Sequence, residues 1–158
     1  MLYKNQKGYN PLEGHKDPTS VIIGIINLDS RSLNEQQVQS NKRFNVKSVG
    51  ECIIEIYFNE GKIPHFHIYN KDHSFESCIR IYENMYFSHG GKYRSVFNKS
   101  QCKQLNEYLK QPCPKFFNKL SIWEVIAGYW ESECDDTYPH KTDKQPDYST
   151  MDTFRDVI

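Results

Sequence analysis

Apolar and polar residues alternate in the middle of the chain, and this alternation predicts an antiparallel β-meander. Side chains at every second position of a strand share one face of a sheet. The predicted strands cover residues 51–58, 63–69 and 75–82. Turn-favouring residues separate them at 59–62 and 70–73. An earlier segment, Ser20–Leu28, is continuously apolar and rich in β-branched residues, which predicts a strand buried on both faces.

Two helices are predicted after the meander. Residues 99–111 carry one apolar stripe, Asn98 or Ser100 is the candidate N-cap, and two prolines stop the pattern. Ser121 and Glu124 have the spacing of a capping box. The residues that follow give the second helix a broad apolar face, which must pack against another element.

The apolar side of the predicted sheet needs a cover, and the two helices are expected to supply it. We therefore predict an α+β fold, with an antiparallel β-meander sheet and two C-terminal helices packed on one face. A chain of 158 residues suits one such domain, which we assign to residues 20–134. Residues 1–19 are expected to form an irregular arm and residues 135–158 a polar, mobile tail. The aromatic segment 85–97, with its Gly-Gly pair, predicts a further hairpin.

The charge balance and the cysteines limit the classes of protein to which this chain can belong. The sequence has 20 Lys+Arg and 20 Asp+Glu residues, and its 5 cysteines lack Cys-x-x-Cys spacing. This favours reduced thiols in a cytoplasmic protein over a disulfide framework. Nucleic-acid binding would need a local patch, because the basic residues form no visible stripe. No apolar run approaches the roughly 20 residues of a membrane helix, and no secretory signal is visible, so no membrane partner is expected.

Candidate chemistry is concentrated on the polar side of the predicted sheet. His65 and His67 stand two residues apart on one strand, so their imidazoles share a face. Glu55 and Arg80 fall on the same face, and these four residues are the candidate catalytic residues. The two imidazoles can also bind a transition metal such as zinc or manganese, whereas acid–base chemistry or protein binding needs no cofactor. Three tyrosines of this face are candidate binding residues: Tyr57, Tyr69 and Tyr82.

The loop between the first two strands decides which histidine faces the glutamate. Glu55 shares a face with both histidines only if that loop has an odd number of residues. A three-residue loop at 59–61, with Gly61 in the left-handed region, places Glu55 opposite His65. A shifted register places it opposite His67. In either register, we expect this face to be partly open to solvent.

The central part of the chain resembles a known family. It contains Ile56-Tyr57-Phe58-Asn59-Glu60, then Ile63-Pro64-His65-Phe66-His67, an aromatic third strand and a helix ending in Tyr129-Trp130-Glu131. This pattern is similar to that of small bacterial proteins of unknown function that are marked by a Pro-Pro-His-Phe-His hairpin, although Ile63 replaces the first proline. The resemblance covers residues 51–134. It implies a gene module of toxin–antitoxin or mobile-element type, and the matching histidines are His65 and His67.

Three interpretations of function are open at this point. The leading hypothesis is a small cytoplasmic protein-binding or regulatory protein of a bacterial or phage module, toxin–antitoxin-like or defence-related, that binds a protein partner through the histidine-bearing face. The alternative is a hydrolase, in particular a nuclease, that uses His65 and His67 with a metal or as acid and base. The third makes both histidines structural, with a buried imidazole bonded to backbone carbonyl groups.

Overall fold

The computed structural model describes residues 19–28, 49–58, 60–87, 95–134 and 137–151, and these residues form four antiparallel strands and two α-helices. The strands form one sheet in the order β1-β2-β3-β4. They are β1 (Ser20–Leu28), β2 (Gly50–Tyr57), β3 (His65–Asn70) and β4 (Glu76–Arg80). The helices are α1 (Lys99–Leu109) and α2 (Ile122–Glu133). The predicted α+β fold with a β-meander is confirmed.

The register of the strands sorts the residues onto two faces as the alternation predicts. On the apolar face, Ile54 lies opposite Ile68 and Phe66 lies opposite Ile79. Six side chains of this face are completely buried: Ile54, Ile56, Phe66, Ile68, Ile79 and Ile81. The same hydrophobic core includes apolar residues of both helices, among them Leu105, Leu109, Ile122 and Ile126. Burial of this surface holds the sheet and the helices together.

Both helices begin at reciprocal capping boxes. Asn98 Oδ1 accepts the amide of Gln101 at 2.8 Å, and Gln101 Oε1 accepts the amide of Asn98 at 2.9 Å. At α2, Ser121 Oγ accepts the amide of Glu124 at 3.1 Å, and Glu124 Oε1 accepts the amide of Ser121 at 2.8 Å. These bonds satisfy amides that have no partner within the helix. The capping box of α2 is confirmed, and the N-cap of α1 is Asn98 rather than Ser100.

Strand β1 departs from the prediction that both of its faces are buried. It lies at an edge of the described sheet, and Ile22 and Ile25 are 48% and 53% exposed. The register shifts between Ile22 and Gly24, as it does at a β-bulge, while Ile23 and Ile26 turn towards the core. The prediction is wrong for one face, because a continuous apolar run does not reveal which neighbours will cover it.

The segment after α2 also departs from its prediction as a polar, mobile tail. Tyr148 lies in a short 3-10 helix and is fully buried. Its hydroxyl lies 2.8 Å from the carbonyl oxygens of both Arg80 and Ile81, and its amide donates to Asn106 Oδ1 on α1 at 3.0 Å. Tyr148 anchors this segment without any periodic pattern, which is why sequence periodicity does not reveal it.

Some predicted elements lie outside the described residues. They are the arm up to residue 18, the tip of the predicted 85–97 hairpin and the end of the chain. The described parts of that hairpin hydrogen-bond to β4: the Phe87 amide donates to the Cys78 carbonyl at 2.9 Å and the Ser95 amide donates to the Glu76 carbonyl at 2.8 Å. Within the described ranges, no helix is both long enough and apolar enough to cross a membrane.

We predict that Gly24→Ala destabilises the protein by about 1–2 kcal/mol in urea unfolding. The added methyl group would lie 2.4 Å from the Tyr108 hydroxyl, which is itself hydrogen-bonded to the backbone of Ile25. The matched control is Gly128→Ala in α2, where nothing lies within 4 Å of the new methyl group. That change should stabilise the helix by about 0.5–1 kcal/mol. Equal effects of the two substitutions would contradict the close approach at Gly24.

Candidate functional site

His65 and His67 emerge together from the first half of β3. Their ring centroids are 5.3 Å apart, yet only 1% of His65 and 4% of His67 is exposed. The ring of Phe87 lies 4.3 Å from that of His65, Trp130 of α2 lies 5.4 Å from His65, and Tyr57 lies 4.4 Å from His67. The prediction of an open face is therefore wrong at the histidines, because α2 and the segment after β4 cover this end of the sheet.

A glutamate from the loop between β2 and β3 reaches both histidines. Glu60 Oε1 lies 3.0 Å from His65 Nε2 and 2.8 Å from His67 Nε2. Sequence reasoning assigns Glu60 only to a turn and misses this role. The available signal was an acidic residue in the hairpin loop that joins a strand to the paired histidines.

The loop between β2 and β3 is wider than predicted and fixes the register of these two strands. Glu55 lies opposite His67, not His65, so the three-residue loop is wrong and the shifted register is the one observed. The connection spans residues 58–64, and Gly61 within it has a φ of 94°, which residues with a side chain rarely adopt. Odd loop length still keeps the glutamate and both imidazoles on one face.

Glu55 is on the predicted face, but its carboxylate bonds to hydroxyl groups. It accepts hydrogen bonds from Ser20 Oγ at 2.5 Å, from Tyr57 at 3.3 Å and from Tyr69. Burial, followed by the hydrogen bond and charge of Glu55, raises the pKa of Tyr69. Two of the candidate binding tyrosines thus form a hydroxyl–carboxylate cluster with the candidate catalytic glutamate, beside His67.

Arg80 and Tyr82 have other partners. Arg80 lies opposite His65 in the register, and its Nη1 lies 3.5 Å from Glu83 Oε1. Its guanidinium carbon is 5.9 Å from the ring centroid of Phe87, and its Nε is buried with no hydrogen-bond partner in the described part of the chain. Tyr82 is 5% exposed and donates to a glutamate of α2 at 3.1 Å, so it is a packing residue rather than a surface anchor.

The proton positions on His65 restrict the state of the histidine–glutamate cluster. Nδ1 of His65 lies 2.8 Å from the carbonyl oxygen of Ile63, which can only accept, so Nδ1 carries a proton. A neutral His65 then presents a lone pair at Nε2 to the carboxylate of Glu60, and two acceptors repel. A protonated Glu60 could donate from Oε1 to His65 Nε2 and accept from Nε2 of His67. With Glu60 ionised, the contact with His65 requires a second proton on the ring or a cation between the groups.

The cluster keeps Glu60 ionised. Burial opposes ionisation, but hydrogen bonds from His65 and His67, together with the charge of these imidazoles, lower the pKa of Glu60 to about 2. Its side chain retains 23% of its accessible surface, so solvent reaches the cluster through this residue. One donor atom from each of the three residues lies within 4.8 Å of the other two. Two imidazoles and a carboxylate are a common ligand set for transition metals.

Contacts behind the imidazoles fix their orientation. His65 Nδ1 donates to the Ile63 carbonyl, and His67 Nδ1 lies 3.4 Å from Sγ of Cys78, its partner residue on β4. Burial raises the pKa of the Cys78 thiol, so it stays protonated at neutral pH. Metal-binding histidines generally donate their second N–H to a neighbouring acceptor, as His65 does to the Ile63 carbonyl, and this leaves the other nitrogen for the metal.

Comparisons with known proteins provide no relative on which to base a function. No family model, no curated protein and no solved structure matches the chain. The resemblance to the Pro-Pro-His-Phe-His family therefore stays a prediction, as does the gene module that it implies. Any functional conclusion has to come from the geometry of the site.

We predict that Glu60→Gln lowers the free energy of unfolding at pH 7 by about 1–3 kcal/mol. The pKa of Glu60 falls from its ordinary 4.5 to about 2 on folding. A carboxyl group whose pKa is lower in the folded state stabilises the protein at pH values above its unfolded-state pKa. This contribution is lost as the pH falls towards the folded-state pKa. Urea unfolding between pH 7 and pH 2 should therefore show the difference between the two proteins shrink below about pH 4.5.

Glu76→Gln is the matched control for this experiment. Glu76 also pairs with a histidine, but its partner His73 is 58% exposed. Exposed ion pairs contribute only about 0–1 kcal/mol, so the control should change the unfolding free energy much less than Glu60→Gln. A pH-independent effect of Glu60→Gln would show that its carboxylate does not carry the stabilisation.

Proposed function

We propose that this protein is a metal-dependent hydrolase whose metal ion is bound by Glu60, His65 and His67. The observation that carries the proposal is the approach of two Nε2 atoms to one carboxylate oxygen, at 3.0 and 2.8 Å. Because Nδ1 of His65 donates to a carbonyl oxygen, a neutral His65 would present its Nε2 lone pair to the carboxylate of Glu60. A divalent cation bound by both groups would remove this repulsion.

The ligand set supports zinc or manganese as the metal. Imidazole and carboxylate groups bind both ions, and three protein ligands leave coordination positions for water and substrate. A metal ion at such a site supplies activated water at neutral pH. The chain orients the ligands through Ile63 and Cys78, and Phe87 shields the ring of His65. The accessible side is that of the partly exposed Glu60.

Arg80 supports a phosphodiester substrate, and hence nuclease activity, within the class of hydrolases. Its guanidinium carbon lies 5.9 Å from the ring centroid of Phe87, whose ring is tilted against that of His65, and its Nη1 lies 3.5 Å from Glu83 Oε1. A planar guanidinium matches the geometry of phosphate oxygens. Arg80 would hold the anionic group of the substrate near the metal.

Metal binding is tested directly on the purified, untagged protein. We expect stoichiometric zinc or manganese by elemental analysis and a higher Tm when metal is added. His67→Ala should lose both the metal and the gain in Tm, whereas His140→Ala, which removes an exposed histidine, should keep both. A metal-free protein whose Tm does not respond to either ion would contradict the proposal and favour histidines with a structural role.

Activity is tested with bis(p-nitrophenyl) phosphate and single-stranded RNA. Hydrolysis should require the metal, and Glu60→Gln and His65→Ala should lower kcat by about 100-fold or more. Arg80→Gln should mainly raise KM, because it removes a substrate contact and no metal ligand. Thermal unfolding of each variant checks that it is folded. Metal-loaded protein that hydrolyses neither substrate would overturn nuclease activity while leaving metal binding intact.

Protein binding is the second candidate, and the exposed isoleucines of β1 favour it. Ile22 and Ile25 are 48% and 53% exposed on the face that also bears Glu55 and Ile53. Apolar groups at a sheet edge are suited to a protein partner. The test is a titration of the purified product of the neighbouring gene. Ile22→Asp/Ile25→Asp should weaken binding at least about 10-fold, and an unchanged affinity would contradict this surface.

A further inference from the structure

Two aromatic rings that are partly exposed flank the proposed metal ligands. The ring centroid of Tyr57 lies 4.4 Å from that of His67, and the ring centroid of Phe87 lies 4.3 Å from that of His65. Tyr57 ends β2, whereas the Phe87 amide donates to the Cys78 carbonyl of β4 at 2.9 Å. The two rings therefore come from opposite sides of β3, the strand that carries both histidines.

Neighbouring groups hold both rings in place. The Tyr57 hydroxyl donates to Oε1 of the buried Glu55 at 3.3 Å. The ring of Phe87 is tilted by 32° against that of His65, and its centroid lies 5.9 Å from the guanidinium carbon of Arg80. Side chains that are ordered before binding lose less conformational entropy when a ligand docks on them. Both rings are therefore suited to stack against a flat group.

The metal-binding atoms are more buried than the two rings, and this limits the shape of the substrate. His65 and His67 are almost completely buried, whereas the side chain of Glu60 keeps 23% of its surface and Tyr57 and Phe87 are half-buried. A double helix is stiff over about 150 base pairs, and its bases are paired and stacked inside. An unpaired strand bends easily and presents the faces of its bases. The arrangement therefore favours an unpaired strand.

We propose that the substrate is a single-stranded nucleic acid, whose bases stack on Tyr57 and Phe87 at either side of the metal site. This inference rests on the proposed function and names the substrate class of the same site. The chain has 20 Lys+Arg and 20 Asp+Glu residues, so stacking rather than a basic surface supplies most of the affinity. Every base has a face that can stack, and the protein is therefore expected to discriminate little between sequences.

Fluorescence anisotropy with labelled strands of about 12 nucleotides, a usual length for a single-strand site, tests this inference on the full chain. Single-stranded RNA or DNA should bind at least about 10-fold more tightly than the duplex of the same sequence. An abasic strand of the same length keeps the phosphates but lacks the base faces, so it should also bind at least about 10-fold more weakly. Gel electrophoresis checks that each strand stays intact.

Substitutions test the two rings separately. Tyr57→Leu and Phe87→Leu keep an apolar side chain but remove the ring, and each should weaken single-strand binding about 10-fold. Tyr57→Phe keeps the ring and should keep the affinity. The matched control is Phe117→Leu, which removes an 84% exposed ring from the loop between α1 and α2 and should have no effect. Thermal unfolding checks that each variant is folded.

The outcomes separate this inference from the proposed function. Metal-loaded protein that binds strand, duplex and abasic strand equally overturns the inference and leaves the metal site intact. Folded leucine variants at Tyr57 and Phe87 that both keep the affinity overturn it as well, as does an equal loss in Phe117→Leu. Metal-free protein that still prefers unpaired bases supports the stacking surface and overturns only the metal site.

Discussion

A carboxylate and two imidazoles meet in the interior of this protein, and the local structure around them serves that contact. Buried ionised groups persist only where partners replace their lost hydration. Glu60 reaches His65 and His67 through a hairpin loop that bends at Gly61, and the Ile63 carbonyl fixes one ring from behind. Because Glu60 is ionised, a proton or a metal ion has to supply positive charge between the nitrogens and the oxygen.

The two faces of the sheet differ in polarity and in the elements that cover them. One face is mainly apolar and forms the core with both helices, so it supplies most of the hydrophobic stabilisation. The other is divided: near β3 it is sealed by Phe87 and Trp130, whereas near β1 it exposes Ile22 and Ile25. Chemistry in a sheltered site and association through an apolar surface can therefore coexist on one sheet, because its two ends have different neighbours.

Local patterns predicted what depends on neighbours in the chain. The alternation of apolar and polar residues assigned side chains to the correct faces, because the pleat of a strand sends successive side chains to opposite faces. The capping box located the start of α2, because the side chain of Ser121 accepts an amide only three residues away. Prediction failed where the cause is distant. Tyr148 is buried by contacts with Arg80 and Ile81. Glu60 contacts the histidines because the loop that carries it is wide enough to reach them. Neither contact produces a periodic pattern in the sequence.

The sequence by itself determined the meander and the two helices. It also determined that the imidazoles of His65 and His67 lie side by side on one face of the sheet. Those features follow from dihedral preferences and side-chain periods of two and 3.6 residues. Only the tertiary structure decided which carboxylate meets the histidines and whether solvent reaches them. Register and burial are settled by the packing of segments far apart in the chain, so Glu60 lies at the site, Glu55 bonds to hydroxyl groups, and both histidines are buried.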